Sequence, residues 1–344
     1  MARIQSRKEQ HVRICLEEDV QYARGAGFSD IEFLHNSLPE IDMGKIDIST
    51  SFFGRRMDAP LIIDGMTGGY PKAKEINRKL AAVAAEHNVP FGLGSQRAMV
   101  ENPILTQTYR VRDVAPDVFI IGNIGAAQIA HYPVAKIKSA LEAIDANALA
   151  VHLNALQEAV QPEGDRNFEG VLSAISKLSD ALRIPIIAKE TGAGISADAA
   201  VRLKNAGVQM LNVSGAGGTS WSKVEYLRGK PVEGFREWGI PTVVSIVSCA
   251  YHLPLIASGG VRSGLDAAKS IALGAKMAAG AHPFLAAKDA SLEIKNWKMQ
   301  LRTAMFLTGS ANLEKLAKAR VFVTGRTAQL LQCLRVDVGE YAMR

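Results

Sequence analysis

The sequence has few cysteines, no long apolar run and no strong excess of charge of either sign. Its three cysteines, Cys15, Cys249 and Cys333, are odd in number and show no C-x-x-C spacing, which argues against a disulfide framework or a zinc site. This usage is typical of the reducing cytoplasm. No apolar run approaches the roughly 18 residues of a membrane helix, and the N-terminus lacks the apolar core of a signal peptide. We therefore expect a cytoplasmic protein without a membrane partner.

The charge balance is mildly basic, with 40 Lys and Arg against 34 Asp and Glu in 344 residues. These charges are scattered, and no Lys/Arg block is interleaved with aromatic residues, so nucleic acid is not expected as a partner. A modest basic excess favours small acidic ligands instead. Apolar residues make up 48% of the chain and charged residues 22%, as in ordinary globular proteins.

From Ala59 onward, short apolar runs alternate with longer segments of helical periodicity, which indicates parallel β/α units. Eight runs predict strands, near Ala59–Asp64, Val89–Gly94, Val118–Asn123, Ala148–Asn154, Pro185–Lys189, Met210–Ser214, Pro254–Ser258 and Met277–Ala281. The predicted helices between them include Lys72–His87, Ala127–Ile144, Gly170–Leu182, Ala197–Ala206, Thr242–His252 and Ser263–Leu273. We predict a (β/α)8 barrel. A doubly wound open sheet is the alternative, although its early G-x-G-x-x-G fingerprint is missing.

The pattern divides the chain into three parts. Residues 1–58 precede the first predicted strand and are expected to form an N-terminal extension over the barrel, acting as a substrate lid. Residues 59–310 form the barrel, with Phe284–Leu307 as its last helix, and residues 311–344 form a tail with one further helix. The segment Asn212–Pro241 is predicted to be the longest irregular insertion, and barrel enzymes often keep their chemistry in such loops.

Two glycine-rich loops are candidates for phosphate binding. Ser214–Trp221 follows the sixth predicted strand, and Ser258–Gly264 follows the seventh, directly before a helix. Glycines allow backbone N–H groups to approach an anion, and a helix N-terminus adds a favourable dipole. The alternative is that these glycines only make tight turns. Because barrels commonly bind phosphate after their last strands, the position favours a phosphate site.

Lys189 ends the apolar run of the fifth predicted strand and should point into the barrel mouth. A cation there can stabilise the reduced, anionic form of a flavin. A Schiff-base lysine and a lysine reaching solvent are the alternatives.

The exit of the fourth predicted strand carries His152, Asn154, Gln157 and Glu158. One carboxylate is too few for a dedicated metal cage, but it suits Mg²⁺ that takes its other ligands from a diphosphate and water. A hydrogen-bonded strand-end histidine with solvated neighbours is the alternative.

Arg7 and Lys8 precede His11 in the charged N-terminal segment. They could bind a second anion over the mouth, or simply form a solvated helix face.

Taken together, these motifs resemble the type 2 isopentenyl diphosphate isomerase family. The resemblance rests, in chain order, on Arg7-Lys8-x-x-His11, Met66-Thr67-Gly68-Gly69, Gly94-Ser95-Gln96-Arg97, His152-Leu-Asn-x-x-Gln157-Glu158, Lys189-Glu190-x-Gly-x-Gly194, Ser214-Gly-x-Gly-Gly-Thr219-Ser-Trp221 and Ser258-Gly-Gly-Val-Arg262-Ser-Gly264. The His-Leu-Asn-x-x-Gln-Glu run is specific to this family, whereas the Gly-Gly-x-Arg loop is shared with many FMN barrels.

The resemblance implies an isomerase that interconverts isopentenyl and dimethylallyl diphosphate, using reduced FMN, Mg²⁺ and NADPH or another reductant. FMN would be held by Gly65, Met66, Thr67, Ser95, Asn123, Lys189, Ser214, Thr219, Gly260, Val261, Arg262, Ala281 and His282. The prenyl diphosphate would be bound by Arg7, Lys8, Ser95, Arg97, His152, Asn154 and Gln157, with Mg²⁺ on Glu158. Gln157, Lys189 and His152 are the implied catalytic residues, and a homo-oligomer, a tetramer or an octamer, is the implied assembly.

Two rival functions are possible on the same fold. An FMN oxidoreductase of the 2-hydroxy-acid oxidising type should carry a His-Gly-Gly base motif after the sixth strand, where this chain has Ala216-Gly217-Gly218. A flavin-binding protein without catalysis is the second rival. Turnover of isopentenyl diphosphate would distinguish an isomerase from both.

Overall fold

A computed structural model describes residues 2–229 and 232–344 of the chain. Met1 of the predicted extension, and Lys230 and Pro231 of the predicted insertion, lie outside the described residues. Eight parallel strands form a closed barrel: Leu61–Ile63, Phe91–Gly92, Ile120–Gly125, Ala148–His152, Ile186–Lys189, Met210–Asn212, Leu255–Ala257 and Met277–Gly280. Each lies within a strand predicted from the sequence, apart from small shifts at the ends. The barrel is confirmed, and the open doubly wound sheet was wrong.

The first and eighth strands pair directly and close the sheet. Ala278 pairs with Leu61, Ala279 with Ile62 and Gly280 with Ile63. Consecutive strands pair around the rest of the circuit, so all eight carboxyl ends emerge at one mouth.

Alternate strand residues fill the barrel interior, as period-two side-chain geometry requires. This inner cluster consists of Ile62, Ile121, Ala148, Ala150, Ile187, Met210, Ile256, Met277 and Ala279, joined by Phe52, Met57 and Phe119. Phe52 and Met57 come from a hairpin of Thr50–Phe52 and Arg55–Met57 that packs below the mouth, against the first residues of several strands. The interior is therefore a packed core, and open space is confined to the mouth.

Helices surround the barrel and pack their apolar faces on the outer side of the strands. They span Pro71–Glu86, Arg97–Glu101, Ala126–Ile129, Val134–Glu142, Ala155–Val160, Val171–Ala181, Ala197–Asn205, Trp221–Leu227, Thr242–Cys249, Gly264–Ala272, His282–Ala286 and Ala290–Leu307. Most agree with the predicted helices.

Two predicted helices are each divided in the structure. The segment predicted as one helix over Ala127–Ile144 is two, because Pro133 lacks an N–H and starts the second helix. The segment predicted as one helix over Phe284–Leu307 is also two, because the Asp289 side chain accepts from the N–H groups of Ser291 and Leu292 and begins the second.

The Asn212–Pro241 segment is not wholly irregular. It contains the helix Trp221–Leu227, and the Ser220 side chain accepts from the N–H of Lys223 at its N-terminus. The insertion therefore presents a short ordered helix beside the mouth.

The N-terminal extension touches both ends of the barrel and the tail. Its helix Ala2–Glu17, called here the N-terminal helix, packs through Ile14 against Val224 and Trp221. Ile31–Phe33 then pairs antiparallel with Val321–Val323 of the tail. The tail was expected to hold one helix, but it holds this strand and the helices Leu313–Leu316, Gly325–Cys333 and Glu340–Met343.

Within residues 2–229 and 232–344, no helix combines the length and the apolar character needed to cross a bilayer.

The strand pairing between extension and tail gives a stability prediction. Ile31 is fully buried, whereas Phe322 on the same two-stranded sheet is 44% exposed. Ile31→Ala should reduce the free energy of unfolding by about 2–5 kcal/mol, the usual cost of truncating a buried Ile. Phe322→Ala is the control and should cost much less. Denaturant melts measure both, and equal losses would show that the sheet does not anchor the extension.

Candidate active site

One cavity of about 790 Å³ lies at the carboxyl ends of the barrel strands. Every site residue proposed from the sequence lines it: Arg7, Lys8, Gly65, Met66, Thr67, Ser95, Arg97, Asn123, His152, Asn154, Gln157, Glu158, Lys189, Ser214, Thr219, Gly260, Val261, Arg262, Ala281 and His282. The volume is in the usual range for small-molecule and cofactor sites. The structure thus brings these residues together in one place, contributed by the N-terminal helix and all eight strand ends.

The two glycine-rich loops pack backbone against backbone on one side of the cavity. A Cβ on Gly218 would lie 2.6 Å from the backbone N of Gly260, and a Cβ on Gly260 would lie 2.3 Å from the carbonyl oxygen of Gly217. Gly260 also has a φ of +79°, which favours glycine. The backbones of the two loops are therefore in close contact directly before the helix Gly264–Ala272.

Arg262 secures these loops from the N-terminal side. Its Nη2 donates to Gln21 Oε1 at 2.6 Å and to the Gly217 carbonyl oxygen at 3.1 Å. The backbone N–H of Tyr22 also donates to the Gly218 carbonyl at 3.0 Å. The segment after the N-terminal helix is therefore hydrogen-bonded to the two glycine-rich loops.

Lys189 forms a buried ion pair at the floor of the cavity. Its Nζ lies 2.6 Å from Asp64 Oδ2, and both side chains are about nine-tenths buried. Asn212 Nδ2 donates to the same carboxylate oxygen at 3.1 Å. The lysine that was expected to face the mouth does so, and it is fixed by a partner that the sequence analysis did not identify.

His152 is held in one tautomer at the end of the fourth strand. Its Nδ1 lies 2.8 Å from Asn123 Oδ1, and Asn123 is oriented because its Nδ2 donates to the Leu93 carbonyl. Burial, then the charges of Lys189 and Lys8, lowers the pKa of His152 to about 3. The imidazole is neutral, so Nδ1–H donates to Asn123 and Nε2 carries the lone pair.

Glu225 connects the N-terminal helix to the strand-four cluster. Its Oε1 lies 2.8 Å from His11 Nε2 and accepts from Gln157 Nε2 at 3.1 Å, while Arg228 pairs with its other oxygen. Burial raises the pKa of Glu225, but the hydrogen bonds from His11 and Gln157 together with the charges of His11 and Arg228 outweigh it, and the pKa is lowered. His11 also packs edge-to-face on Trp221, with ring centroids 5.2 Å apart. Gln157 is therefore held in place by a carboxylate outside its own helix.

Glu158 has one oxygen engaged and lines the cavity. Its Oε2 accepts from Gln161 Nε2 at 3.1 Å and from the backbone N–H of Asp165 at 2.7 Å. Burial raises its pKa, which a bound cation would oppose. Across the described ranges, His, Cys, Asp and Glu side chains form no group of three or more that could hold a metal ion.

Arg7 and Lys8 differ in ways that the sequence did not reveal. Lys8 Nζ donates to the carbonyl oxygens of Gly68 and Ser95, both at 2.8 Å, and to the Tyr109 hydroxyl at 3.1 Å. Arg7 lies 3.8 Å from Glu163, beyond hydrogen-bond distance, and its buried Nε has no partner in the described part of the chain. Lys8 thus fastens the helix to two barrel loops, and the Arg7 guanidinium retains donors for a ligand.

Several residues of the site escaped the sequence analysis. Asp64, Gln128 and Gln161 line the cavity, and Glu225 supports it from behind. Gln128 is 4% exposed, and its Nε2 has no partner among the described residues. For Asp64 a signal existed, since an acidic residue directly after an apolar strand is rare unless paired. Two partners of Glu225, His11 and Gln157, lie 214 and 68 residues away, so no local pattern indicated these contacts.

The fold is shared with flavin oxidases of known structure. A mandelate oxidase variant with a monooxide FMN adduct superposes with a TM-score of 0.64 at 16% identity, over 88% of this chain and 91% of that chain. A lactate oxidase of Pediococcus acidilactici gives a TM-score of 0.67 at 15% identity, over 94% of both chains. At these identities the likeness shows the fold alone.

Sequence comparison identifies the family of the chain, which the shared fold does not. Residues 151–323 match the family model described as FMN-dependent dehydrogenase. The isopentenyl-diphosphate delta-isomerase of Pyrococcus furiosus is 44% identical over 98% of this chain and 91% of its own. That of Methanosarcina acetivorans is 47% identical over 98% of this chain and 97% of its own. The chain therefore belongs to the type 2, FMN-dependent isopentenyl-diphosphate delta-isomerase family.

Proposed function

We propose that this enzyme interconverts isopentenyl and dimethylallyl diphosphate in isoprenoid biosynthesis, with reduced FMN and Mg²⁺ in the cavity at the barrel mouth. The observation that carries the proposal is that two groups of residues suited to bind anions line one cavity. The glycine loops form one of them, and Arg7 and Arg97 form the other. A flavin phosphate and a substrate diphosphate would each occupy one region.

The residues present fit FMN. A Cβ at Gly218 or Gly260 would collide with backbone atoms of the facing loop, so glycine at these positions lets the two loops lie side by side along the cavity. Lys189 supplies a cation at the cavity floor, and Gln128 supplies a buried amide donor that has no partner among the described residues. In this proposal FMN is held by the thirteen-residue set inferred from the sequence, with Lys189 next to the pyrimidine ring.

The reaction adds a proton to a terminal methylene and removes one from the carbon two positions away, through a tertiary centre with cationic character. When bound, reduced FMN supplies an electron-rich ring that stabilises such a centre and can exchange protons. The chain supplies positioning. Gln157, held by Glu225, orients the hydrocarbon or relays a proton, while the N-terminal helix excludes water from the mouth.

Diphosphate binding should change the protonation of two residues. Burial, then the charges of Arg7 and Arg97, lowers the pKa of Lys8 to about 7. The Nε2 of neutral His152 cannot donate to a phosphate oxygen. An anion bound nearby raises both pKa values, so we propose that substrate binding draws protons onto this pair.

Mg²⁺ binding is assigned to Glu158. Its Oε2 is fixed by Gln161 and the Asp165 N–H, which sets the carboxylate plane while Glu158 lines the cavity. Mg²⁺ usually takes one or two carboxylates plus substrate phosphates, so metal and diphosphate would bind together. NADPH or another reductant for the flavin, a cytoplasmic location and a homo-oligomeric assembly complete the proposal and rest on the family resemblance.

The rival 2-hydroxy-acid oxidation lacks its motif histidine after the sixth strand. Ala216 stands where the histidine of that motif is expected, and its backbone bonds to Ile240 across the loop. A methyl group cannot accept a proton, so the same barrel would bind FMN without that oxidation.

The direct test incubates the protein with FMN, Mg²⁺, a reductant and isopentenyl diphosphate, and follows dimethylallyl diphosphate. We expect activity only with reduced FMN, and reductant use far below product formed because the reaction has no net redox change. Equal activity of the apo-protein, or stoichiometric anaerobic consumption of the nicotinamide, would contradict the proposal.

The N-terminal helix should act as a lid through two different contacts. Arg7→Ala should raise KM for the diphosphate about tenfold, a loss of roughly 1.4 kcal/mol, with FMN affinity little changed. Lys8→Ala should raise KM as well and also lower Tm, since it removes the Lys8 donor from the carbonyl oxygens of Gly68 and Ser95, of which only Ser95 keeps a second donor, the Tyr109 hydroxyl. Exposed Arg13→Ala on the same helix is the control. If flavin affinity collapses in Arg7→Ala, that residue supports the cofactor site instead.

Glu158 and Gln157 should respond differently to metal. Glu158→Gln keeps the shape but removes the charge, so activity should fall at least about tenfold, recover partly at high Mg²⁺ and leave the flavin spectrum intact. Gln157→Ala should lower kcat with little response to metal, because it positions substrate. Steady-state kinetics across a Mg²⁺ titration measure both. Identical metal responses would remove Glu158 from the metal site.

A further inference from the structure

Asp64 is a buried carboxylate that the proposed mechanism does not use. It follows the first barrel strand, Leu61–Ile63, at the mouth, is 7% exposed and lines the cavity. An unpaired carboxylate is costly in such a place, so its partners indicate why it is tolerated.

Three donors from different strands converge on Asp64. Oδ1 accepts from the backbone N–H of Gly65 at 2.8 Å. Oδ2 accepts from Lys189 Nζ at 2.6 Å and from Asn212 Nδ2 at 3.1 Å. Asn212 is oriented in turn, because its Oδ1 accepts from the Ser258 hydroxyl. Strand ends one, five, six and seven are thereby joined, and the carboxylate is fixed with both oxygens engaged.

This arrangement constrains Lys189 in position and in charge. An ammonium has three N–H donors, and Asp64 takes the single hydrogen bond found for Lys189 among the described residues. The remaining donors are left for a ligand, since Lys189 lines the cavity. The lysine and the carboxylate together carry no net charge. A group bound above them would accept a hydrogen bond from Lys189 in a fixed direction, but it would experience a weaker positive potential than an unpaired lysine creates.

We propose that Asp64 is a positioning residue that holds the Lys189 ammonium against the flavin and moderates the positive charge that the flavin experiences. This inference rests on the proposed placement of FMN beside Lys189. A full positive charge there would favour the anionic reduced ring but reduce its electron density and basicity. An isomerase needs a reduced ring that still shares electron density with a cationic centre. Pairing with Asp64 fixes the direction of the Lys189 ammonium and reduces the positive potential at the flavin.

The test measures the midpoint potential of bound FMN by reductive titration, together with the affinities of oxidised and reduced FMN. Asp64→Asn keeps the shape and an acceptor oxygen but removes the negative charge. We expect reduced FMN to gain about tenfold in affinity relative to oxidised FMN, about 1.4 kcal/mol, and the potential to rise. Asp30→Asn is the matched control, because Asp30 accepts from the N–H and hydroxyl of Thr327 away from the cavity. It should lower Tm and leave the potential unchanged.

Two further variants keep the test decisive if Asp64→Asn folds poorly. Lys189→Met leaves Asp64 unpaired and should lower the potential. Adding Asp64→Asn to that variant removes both charges, a change that buried pairs often tolerate, and should raise the potential again. If Lys189→Met binds FMN with an unaltered potential, the proposed flavin placement fails. If Lys189→Met shifts the potential but removing the Asp64 charge does not, only the role of Asp64 is overturned.

Discussion

Pairing of the strand Leu61–Ile63 with the strand Met277–Gly280 is the contact on which the site depends. It joins segments more than two hundred residues apart and turns the sheet into a cylinder whose strands all end at one mouth. Without it, Asp64 after the first strand would not be brought around to the loops after the seventh and eighth. The inner core of Ile62, Ile256, Met277 and their neighbours fills the cylinder below that level, and the cavity of the candidate active site lies above it.

Burial sets the electrostatics of this mouth. Three cations that line this cavity are each paired with a carboxylate: Arg7 with Glu163, Arg97 with Glu101 and Lys189 with Asp64. The pairs differ in closeness, because Arg7 stays 3.8 Å from its partner while Lys189 is 2.6 Å from its own. The loosely paired Arg7 suits an incoming anion, whereas the tight Lys189–Asp64 pair suits a fixed contact.

The N-terminal helix belongs to the active site as much as the barrel does. It contributes Arg7, Lys8 and His11 to the cavity wall and is anchored by Lys8 on two loop carbonyls and by His11 on Glu225. These contacts are polar, while Ile14 anchors the helix through a small apolar cluster with Val20 and Val224. A segment attached in this way costs less to open than a core element.

The sequence alone determined the barrel, because eight apolar runs with helical segments between them leave few other ways to bury that pattern. It also identified the residues of the mouth, since strand-end motifs in a parallel barrel must share one face. Pro133 and Asp289 are local signals for the start of a helix, but the helical periodicity of the segments around them obscured these signals. The strand pairing of the extension with the tail, the attachment of Gln157 to Glu225, the difference between Arg7 and Lys8 and the Asp64–Lys189 pair were decided only by the tertiary structure. Each depends on atoms brought together from distant parts of the chain, and no periodicity or spacing encodes which donor reaches which acceptor there.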